Sequence, residues 1–121
     1  DGTFVKEAQI AAETVGAGAT WDIAFSQDDQ QEFIYVADGS NMKVHVVDRD
    51  SLEVLYVLGE GGRQSGLFYG THSIVTDSRG NFYTTETYEG KRIQKFQYRG
   101  LRPLDQIQSG PAWPEGSLIG E

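Results

Sequence analysis

Few side chains in this sequence could carry out chemistry by themselves. The 121 residues include two histidines, His45 and His72, and no cysteine. Without cysteine, disulfides, thiolate metal sites and cysteine nucleophiles are all excluded. Neither histidine has the motif partners of a Ser-His-Asp set, and the glycine-rich stretch 59–66 lacks the Gly-Lys-Ser/Thr of a phosphate-binding loop. His72 is therefore the first polar candidate for a functional side chain.

A second group of candidates is aromatic. Trp21, Phe68 and Tyr69 stand close to the start of predicted strands, as His72 does, and Trp113 stands near the end of the sequence. Aromatic side chains at such places can line a ligand or peptide site. They can equally be core residues that fill the space between sheets, and the sequence leaves both alternatives open. We predict Trp21, Phe68, Tyr69 and His72 as the ligand-binding residues.

The charge of the chain limits its partners. Eighteen acidic against ten basic residues give a net charge of −8, and an acidic surface repels the phosphate backbone of nucleic acids. A basic strip within residues 91–102 is typical of an exposed strand face. No apolar run approaches the ~18 residues of a membrane span. We expect no nucleic-acid partner and no membrane span. A chain without cysteine fits either redox compartment, and we favour an extracellular or periplasmic location.

The elements that must position these candidates occur twice, about fifty residues apart. Ile23 and Ile74 are separated by 51 residues, and Tyr35 and Tyr83 by 48. A period of this size, filled with short strands, is typical of the blades of a β-propeller. Strands are predicted at residues 22–26, 33–37, 42–47 and 53–58 of the first repeat, and at residues 73–77, 81–85, 91–96 and roughly 102–108 of the second.

The predicted fold is all-β. It consists of two four-stranded antiparallel blades, residues 20–59 and 71–109, and one extra outer strand of a preceding blade, Phe4–Ile10, within residues 1–11. Residues 110–121 are predicted to form a loop toward a next blade, and no helix is expected.

Acidic residues end the second strand of each repeat. Asp38 and Glu86 occupy matching positions, and Asp77 ends a first strand. Carboxylates at turns accept backbone N–H groups readily, so all three are predicted to be structural. His45 lies between two valines in mid-strand and is predicted to pack between blades, without a functional role.

Taken together, these residues resemble the NHL-repeat family of β-propellers over about residues 1–110. The stretches that carry the resemblance are Val36–Gly39 with Lys43–Val46, Gly66–Phe68, His72–Asp77 with Gly80–Tyr83, and Lys91–Phe96. NHL propellers usually have six blades, so the resemblance implies that the remaining blades of a longer polypeptide, which we favour, or further copies of this chain complete the ring. The family includes enzymes, protein-binding modules and RNA-binding modules, so the resemblance indicates fold more than function.

The stretch Gly70–Ile74 is also similar to part of the peptide-amidating lyases, NHL-type propellers that hold zinc through histidines of several blades. The similarity implies that His72 faces the central channel and is one metal ligand, with zinc or calcium as the cofactor of a complete propeller. The chain departs from the lyase pattern, because Trp21 stands where the first repeat would offer a second ligand, and Ser40 and Thr87 stand where the lyases have tyrosine and arginine.

Two functions follow as expectations. The first is a propeller segment that binds a protein or small-molecule ligand without a cofactor. The alternative is a part of a metal-dependent lyase or hydrolase whose other ligands come from other blades, since zinc needs three or four ligands.

Overall fold

Residues 1–103, the part of the chain that the structure describes, form seven strands joined by turns and loops. The structure is a computed structural model, and it contains no helix among these residues. The strands are β1 (Thr20–Phe25), β2 (Phe33–Asp38), β3 (Lys43–Asp48), β4 (Val54–Leu58), β5 (Thr71–Thr76), β6 (Phe82–Glu86) and β7 (Ile93–Phe96). Each lies within two residues of a strand predicted from the sequence, because β-branched and aromatic residues concentrate in these segments. The all-β prediction is confirmed.

The strands form two antiparallel sheets. The first sheet has the order β1-β2-β3-β4 and the second has the order β5-β6-β7. Within each sheet, strands that are consecutive in the sequence pair with each other, which the short connections between them allow. Within residues 1–103, the structure has no helix of the length and apolarity needed to cross a membrane.

The core lies between the two sheets, where β1 and β2 pack against β5. The apolar side chains that meet there are Ala24, Tyr35, Ala37, Val44 and Leu58 of the first sheet, Ile74, Phe82 and Phe96 of the second, and Phe68 of the loop between them. The rings of Phe82 and Phe96 stack with their centroids 4.6 Å apart, and Phe68 lies 5.3 Å from Phe96. Full burial of such a side chain stabilises a fold by about 1.5–3 kcal/mol.

Polar contacts fix the position of β1 against β5. The Asp22 Oδ2 atom accepts the backbone N–H of Ile74 at 2.9 Å. The Thr76 hydroxyl donates to the carbonyl of Phe25 at 2.8 Å. Together these two bonds hold β1 and β5 side by side.

The extra outer strand predicted over Phe4–Ile10 is not present. Residues 1–9 form no strand and are exposed. A strand requires partner N–H and C=O groups, and none of the described strands pairs with this segment. A bond of 3.1 Å from Lys6 Nζ to the carbonyl of Asp50 attaches the segment to the rest of the chain. The loop predicted over 110–121, and the strand predicted over 102–108 beyond its first two residues, lie outside the described residues.

Candidate functional site

The same irregularity occurs near the start of β1 and of β5. The pairing of β1 with β2 shifts register across Trp21, which is therefore an extra residue in its strand. The pairing of β5 with β6 shifts in the same way across His72. Such bulges re-aim a side chain away from the regular alternation of a strand. Two residues at equivalent positions of the two repeats, 51 residues apart in sequence, are therefore presented at the same end of the two sheets.

The bulged residues contact each other and form an aromatic cluster with Tyr88. The Trp21 and His72 rings meet edge to face with centroids 5.6 Å apart, and Tyr88 lies 6.5 Å from Trp21 in a similar orientation. Edge-to-face pairs of this spacing are attractive by about 0.5–1.5 kcal/mol beyond the area that they bury. We refer to Trp21, His72 and Tyr88 as the aromatic site.

Trp21 is held in a fixed orientation. Its indole Nε1 donates to the carbonyl of Gly18 at 3.0 Å, and the Ser40 hydroxyl donates to the same carbonyl at 2.6 Å. The ring also covers Gly39, where an added Cβ would lie 2.3 Å from the indole. Glycine at this position therefore makes room for the indole. Tyr88, by contrast, is 74% exposed, so the site opens to solvent on its side.

His72 is exposed and has few polar neighbours. Its Nδ1 atom lies 3.3 Å from the hydroxyl of Ser73, and its ring contacts Trp21. Among residues 1–103, no three His, Asp or Glu side chains lie close enough together to hold a metal ion. The described residues thus surround this imidazole with an aromatic ring and a hydroxyl.

The other predicted ligand residues lie elsewhere. Phe68 is completely buried in the core, so the alternative of a core residue applies to it and its side chain cannot contact a ligand there. Tyr69 is half-buried, and the Arg63 guanidinium lies 4.8 Å above its ring. Trp113 lies outside the described residues. The structure therefore brings together Trp21 and His72, but neither Phe68 nor Tyr69 contributes a ring contact to their cluster.

Tyr88 was not among the predicted site residues. It lies two residues after Glu86, as Ser40 lies two residues after Asp38. Its position in the turn after β6 could have indicated that Tyr88 belongs to the site, because that turn adjoins the end of the sheet that carries the bulge. The sequence does not show, however, that this turn reaches the indole of the other repeat.

The buried acid of the first sheet is structural, as predicted. Asp38 is fully buried, and its Oδ2 lies 2.8 Å from His45 Nε2. Its Oδ1 accepts the backbone N–H of Asn41 at 2.9 Å, which closes the turn between β2 and β3. A cleft of about 240 Å3 lies beside this pair, and the residues that line it together with Asp38 and His45 are Ala11, Glu13, Thr14, Asn41 and Lys43. Both carboxylate oxygens of Asp38 are already hydrogen-bonded.

The matching acid of the second sheet secures a different element. Glu86 accepts Arg92 Nε at 2.7 Å, and also the Tyr69 backbone N–H and the Gln94 amide, each at 3.1 Å. The remaining guanidinium N–H groups donate to backbone carbonyls within residues 62–67. Arg92, which the sequence places in the basic strip, therefore holds the loop between the two sheets.

A third carboxylate orders the turn between β5 and β6. Asp77 accepts the Asn81 side-chain amide at 2.9 Å, the Arg79 backbone N–H at 2.9 Å and the Tyr83 hydroxyl at 3.0 Å. These bonds favour the ionised carboxylate and lower the pKa of Asp77 from 3.8 to about 2, and the bond from the Asn81 side chain has the largest effect. The structural role predicted for this residue is confirmed.

Comparison with known proteins does not assign the chain to a family. No family model matches it, and no curated protein matches it significantly.

Proposed function

We propose that this chain is a two-blade portion of an NHL-type β-propeller and acts as a scaffold that binds a protein or small-molecule ligand. The two sheets would be its blades, with β1 and β5 as the inner strands. The observation that carries the proposal is the shared bulge, which sets Trp21 and His72 side by side at one end of neighbouring sheets. Repeat proteins commonly build one binding surface from equivalent positions of successive repeats.

The chemistry of the aromatic site favours a ligand that carries a positive charge. The faces of indole and phenol rings attract cations, and Tyr88 leaves its ring open to solvent. The net charge of −8 attracts cations toward the whole surface. A quaternary ammonium ion is the simplest probe of this chemistry, because it cannot donate hydrogen bonds. A sodium salt at the same ionic strength separates its contact with the aromatic faces from general attraction to the net charge.

Tryptophan fluorescence tests the proposal directly. In a Trp113→Phe background the emission comes from Trp21 alone, because the sequence contains two tryptophans. Titration with tetramethylammonium chloride should quench it saturably, whereas sodium chloride at the same ionic strength should not. Tyr88→Ala should weaken binding about two- to fivefold, the effect of losing one exposed cation–π contact. Tyr98→Ala is the matched control, because Tyr98 is also exposed and does not contact the aromatic site.

Two outcomes would change the conclusion. Quenching that sodium chloride reproduces, or that persists unchanged in both Tyr88→Ala and His72→Ala, would rule out the aromatic site. Stoichiometric zinc in the purified chain that disappears in His72→Ala would instead favour the metal-dependent lyase or hydrolase.

A further inference from the structure

Three equivalent positions recur in the two sheets, one at the end of the second strand and two in or next to the third. They are Asp38, Lys43 and His45 in the first sheet, and Glu86, Arg92 and Gln94 in the second. Asp38 pairs with Lys43, just as the backbone N–H of Glu86 donates to the carbonyl of Arg92. The third strands continue in the same register. The two sets of side chains therefore lie on the same type of sheet face.

In the second sheet, a guanidinium group fills the space between the acid and the preceding loop. Arg92 donates to Glu86 at 2.7 Å and to backbone carbonyls within residues 62–67. The Gln94 amide donates at 2.8 Å to the carbonyl of Leu67 in the same loop. The loop is thus held by a planar cation whose N–H groups donate to a carboxylate and to carbonyls.

In the first sheet, a cleft lies at the corresponding place. The repeats are offset by 51 residues at their first strands, so residues 62–65 of the loop correspond to residues 11–14. Residues of the segment 11–14 line the cleft of about 240 Å3, and so do Asp38, Lys43 and His45. A water molecule takes up about 30 Å3 in the liquid, so the cleft has room for a group of several heavy atoms.

The acid of this cleft has no cationic partner of the kind that Glu86 has. Asp38 is fully buried, and its only ion-pair contact within residues 1–103 is with His45. Lys43, at the position of Arg92, forms no ion pair with Asp38 in this part of the chain. A buried carboxylate without a full counter-charge is unfavourable, so a cation that enters the cleft is stabilised there.

His45 adds a hydrogen-bond acceptor. Its Nε2 lies 2.8 Å from Asp38 Oδ2. Because a carboxylate oxygen only accepts, Nε2 carries the proton and Nδ1 of the neutral ring is an acceptor. His45 is 7% exposed, and its Nδ1 has no hydrogen-bond partner among the described residues, which is rare for a buried polar atom. Glu13, an exposed acid, lines the same cleft, so the cleft offers several acceptors to a ligand with several donors.

We propose that this cleft binds the guanidinium group of an arginine side chain that a peptide or protein presents, at the place that corresponds to the guanidinium of Arg92. A guanidinium is planar, always charged and carries five N–H donors, so it binds a carboxylate and further acceptors at once. Free arginine also carries a carboxylate, which the net charge of −8 repels, so an arginine within a peptide fits better. The Lys43 ammonium does not block the cleft, because its flexible stem can carry the charge into solvent.

The two histidines of the sequence make NMR a specific test, because His45 lines the cleft and His72 belongs to the aromatic site. His72→Ala assigns their resonances. Titration of the unaltered chain with Nα-acetyl-L-argininamide at constant pH should shift the His45 ring resonances saturably and leave those of His72 in place. Nα-acetyl-L-lysinamide at the same ionic strength should move neither, because an ammonium lacks the planar array of donors. Free L-arginine should bind more weakly than the argininamide.

Two substitutions at position 43 test the equivalence of the repeats. Lys43→Arg should place a guanidinium of the chain itself in the cleft, so it should abolish binding of the argininamide and raise the midpoint of thermal unfolding. Lys43→Ala should still bind the argininamide, which attributes the loss in Lys43→Arg to the added guanidinium rather than to the missing lysine. Lys43 is only partly buried, and circular dichroism checks that both variants are folded.

A third substitution tests the acid at the edge of the cleft. Glu13→Gln should weaken binding about two- to fivefold, the effect of losing one exposed ion pair. Glu7→Gln is the matched control, because it changes the net charge equally and Glu7 is exposed and does not line the cleft. This control should bind the argininamide as the unaltered chain does.

The proposal is overturned if the His45 resonances do not move, or if they move equally with the lysinamide. Undiminished binding in Lys43→Arg, or equal affinities of Glu13→Gln and Glu7→Gln, would also overturn it. A shift of His72 alone would place the ligand at the aromatic site, which refutes the cleft and leaves the proposed function intact. A shift of His45 without fluorescence quenching by tetramethylammonium would support the cleft and refute the aromatic site alone.

Discussion

Among the basic residues of the chain, Arg92 is the one whose replacement by alanine should destabilise the fold most. The Arg92 side chain is 22% exposed, and that of its partner Glu86 is 0% exposed. The guanidinium binds both carboxylate oxygens, at 2.7 and 3.1 Å, and donates to backbone carbonyls within residues 62–67. Arg92→Ala therefore leaves a buried carboxylate without its counter-charge and frees the loop between the sheets.

The expected cost follows from that burial. Removal of one partner of a buried ion pair costs about 3–5 kcal/mol, because the other charge stays buried and unpaired. Glu86 keeps two donors, the Tyr69 backbone N–H and the Gln94 amide, which places the expected cost nearer about 3 kcal/mol. A domain of this size has a total free energy of unfolding of about 5–15 kcal/mol, so the variant loses a large part of it.

Urea unfolding followed by circular dichroism measures this change. A loss of about 3 kcal/mol lowers the midpoint by roughly 1–3 M urea for the slopes typical of small proteins. The matched control is Lys91→Ala at the neighbouring position, where the side chain is 74% exposed and lies 4.0 Å from Glu89. That exposed pair should contribute less than about 1 kcal/mol.

A second variant removes the buried, unpaired charge of Glu86 that Arg92→Ala leaves behind. Arg92→Ala combined with Glu86→Gln should be more stable than Arg92→Ala alone, because a neutral amide costs less to bury than a carboxylate. The reasoning is refuted if Arg92→Ala and Lys91→Ala shift the midpoint equally, or if Glu86→Gln makes the Arg92→Ala variant less stable.

Three further predictions concern single positions. Gly59→Ala should lower the free energy of unfolding by more than about 1 kcal/mol, because the backbone there has φ +77° and an added Cβ would lie 2.3 Å from a core phenylalanine ring. Gly16→Ala is the control in thermal melts, because Gly16 has a similar φ of +74° but nothing within 4 Å of an added Cβ, so it shows the backbone strain without the clash. Asp22→Ala should cost about 1–3 kcal/mol, because it removes the acceptor of the Ile74 backbone N–H at the contact between the sheets; an unchanged urea midpoint would contradict this. The pKa of Asp77 in the folded chain is lowered to about 2 from 3.8, so its contribution to stability should be present above pH 3.8 and be lost as the pH falls toward 2. The free energy of unfolding of Asp77→Asn should therefore change less between these pH values than that of the unaltered chain, and the same pH dependence in both would contradict the bonds described.

The sequence alone determined the positions of the strands and the existence of the repeat. Alternating apolar residues and polar turns are local features, and they located all seven described strands within two residues. The structural roles of Asp38 and Asp77 were also predictable, because a carboxylate next to a turn binds backbone groups of its own turn. The strand predicted at Phe4–Ile10 failed because a strand also depends on a partner, which a local pattern does not reveal.

Only the tertiary structure decided which candidate side chains meet. Phe68 and Trp21 are both aromatic residues near the start of a strand, yet one is enclosed by the rings of the core and the other is turned by a bulge onto His72. Arg92 could be assigned as an exposed basic residue from its neighbours in sequence, but it binds carbonyls of a loop about thirty residues earlier. These outcomes depend on how the two sheets pack, and packing joins residues whose separation in sequence carries no information about their contact.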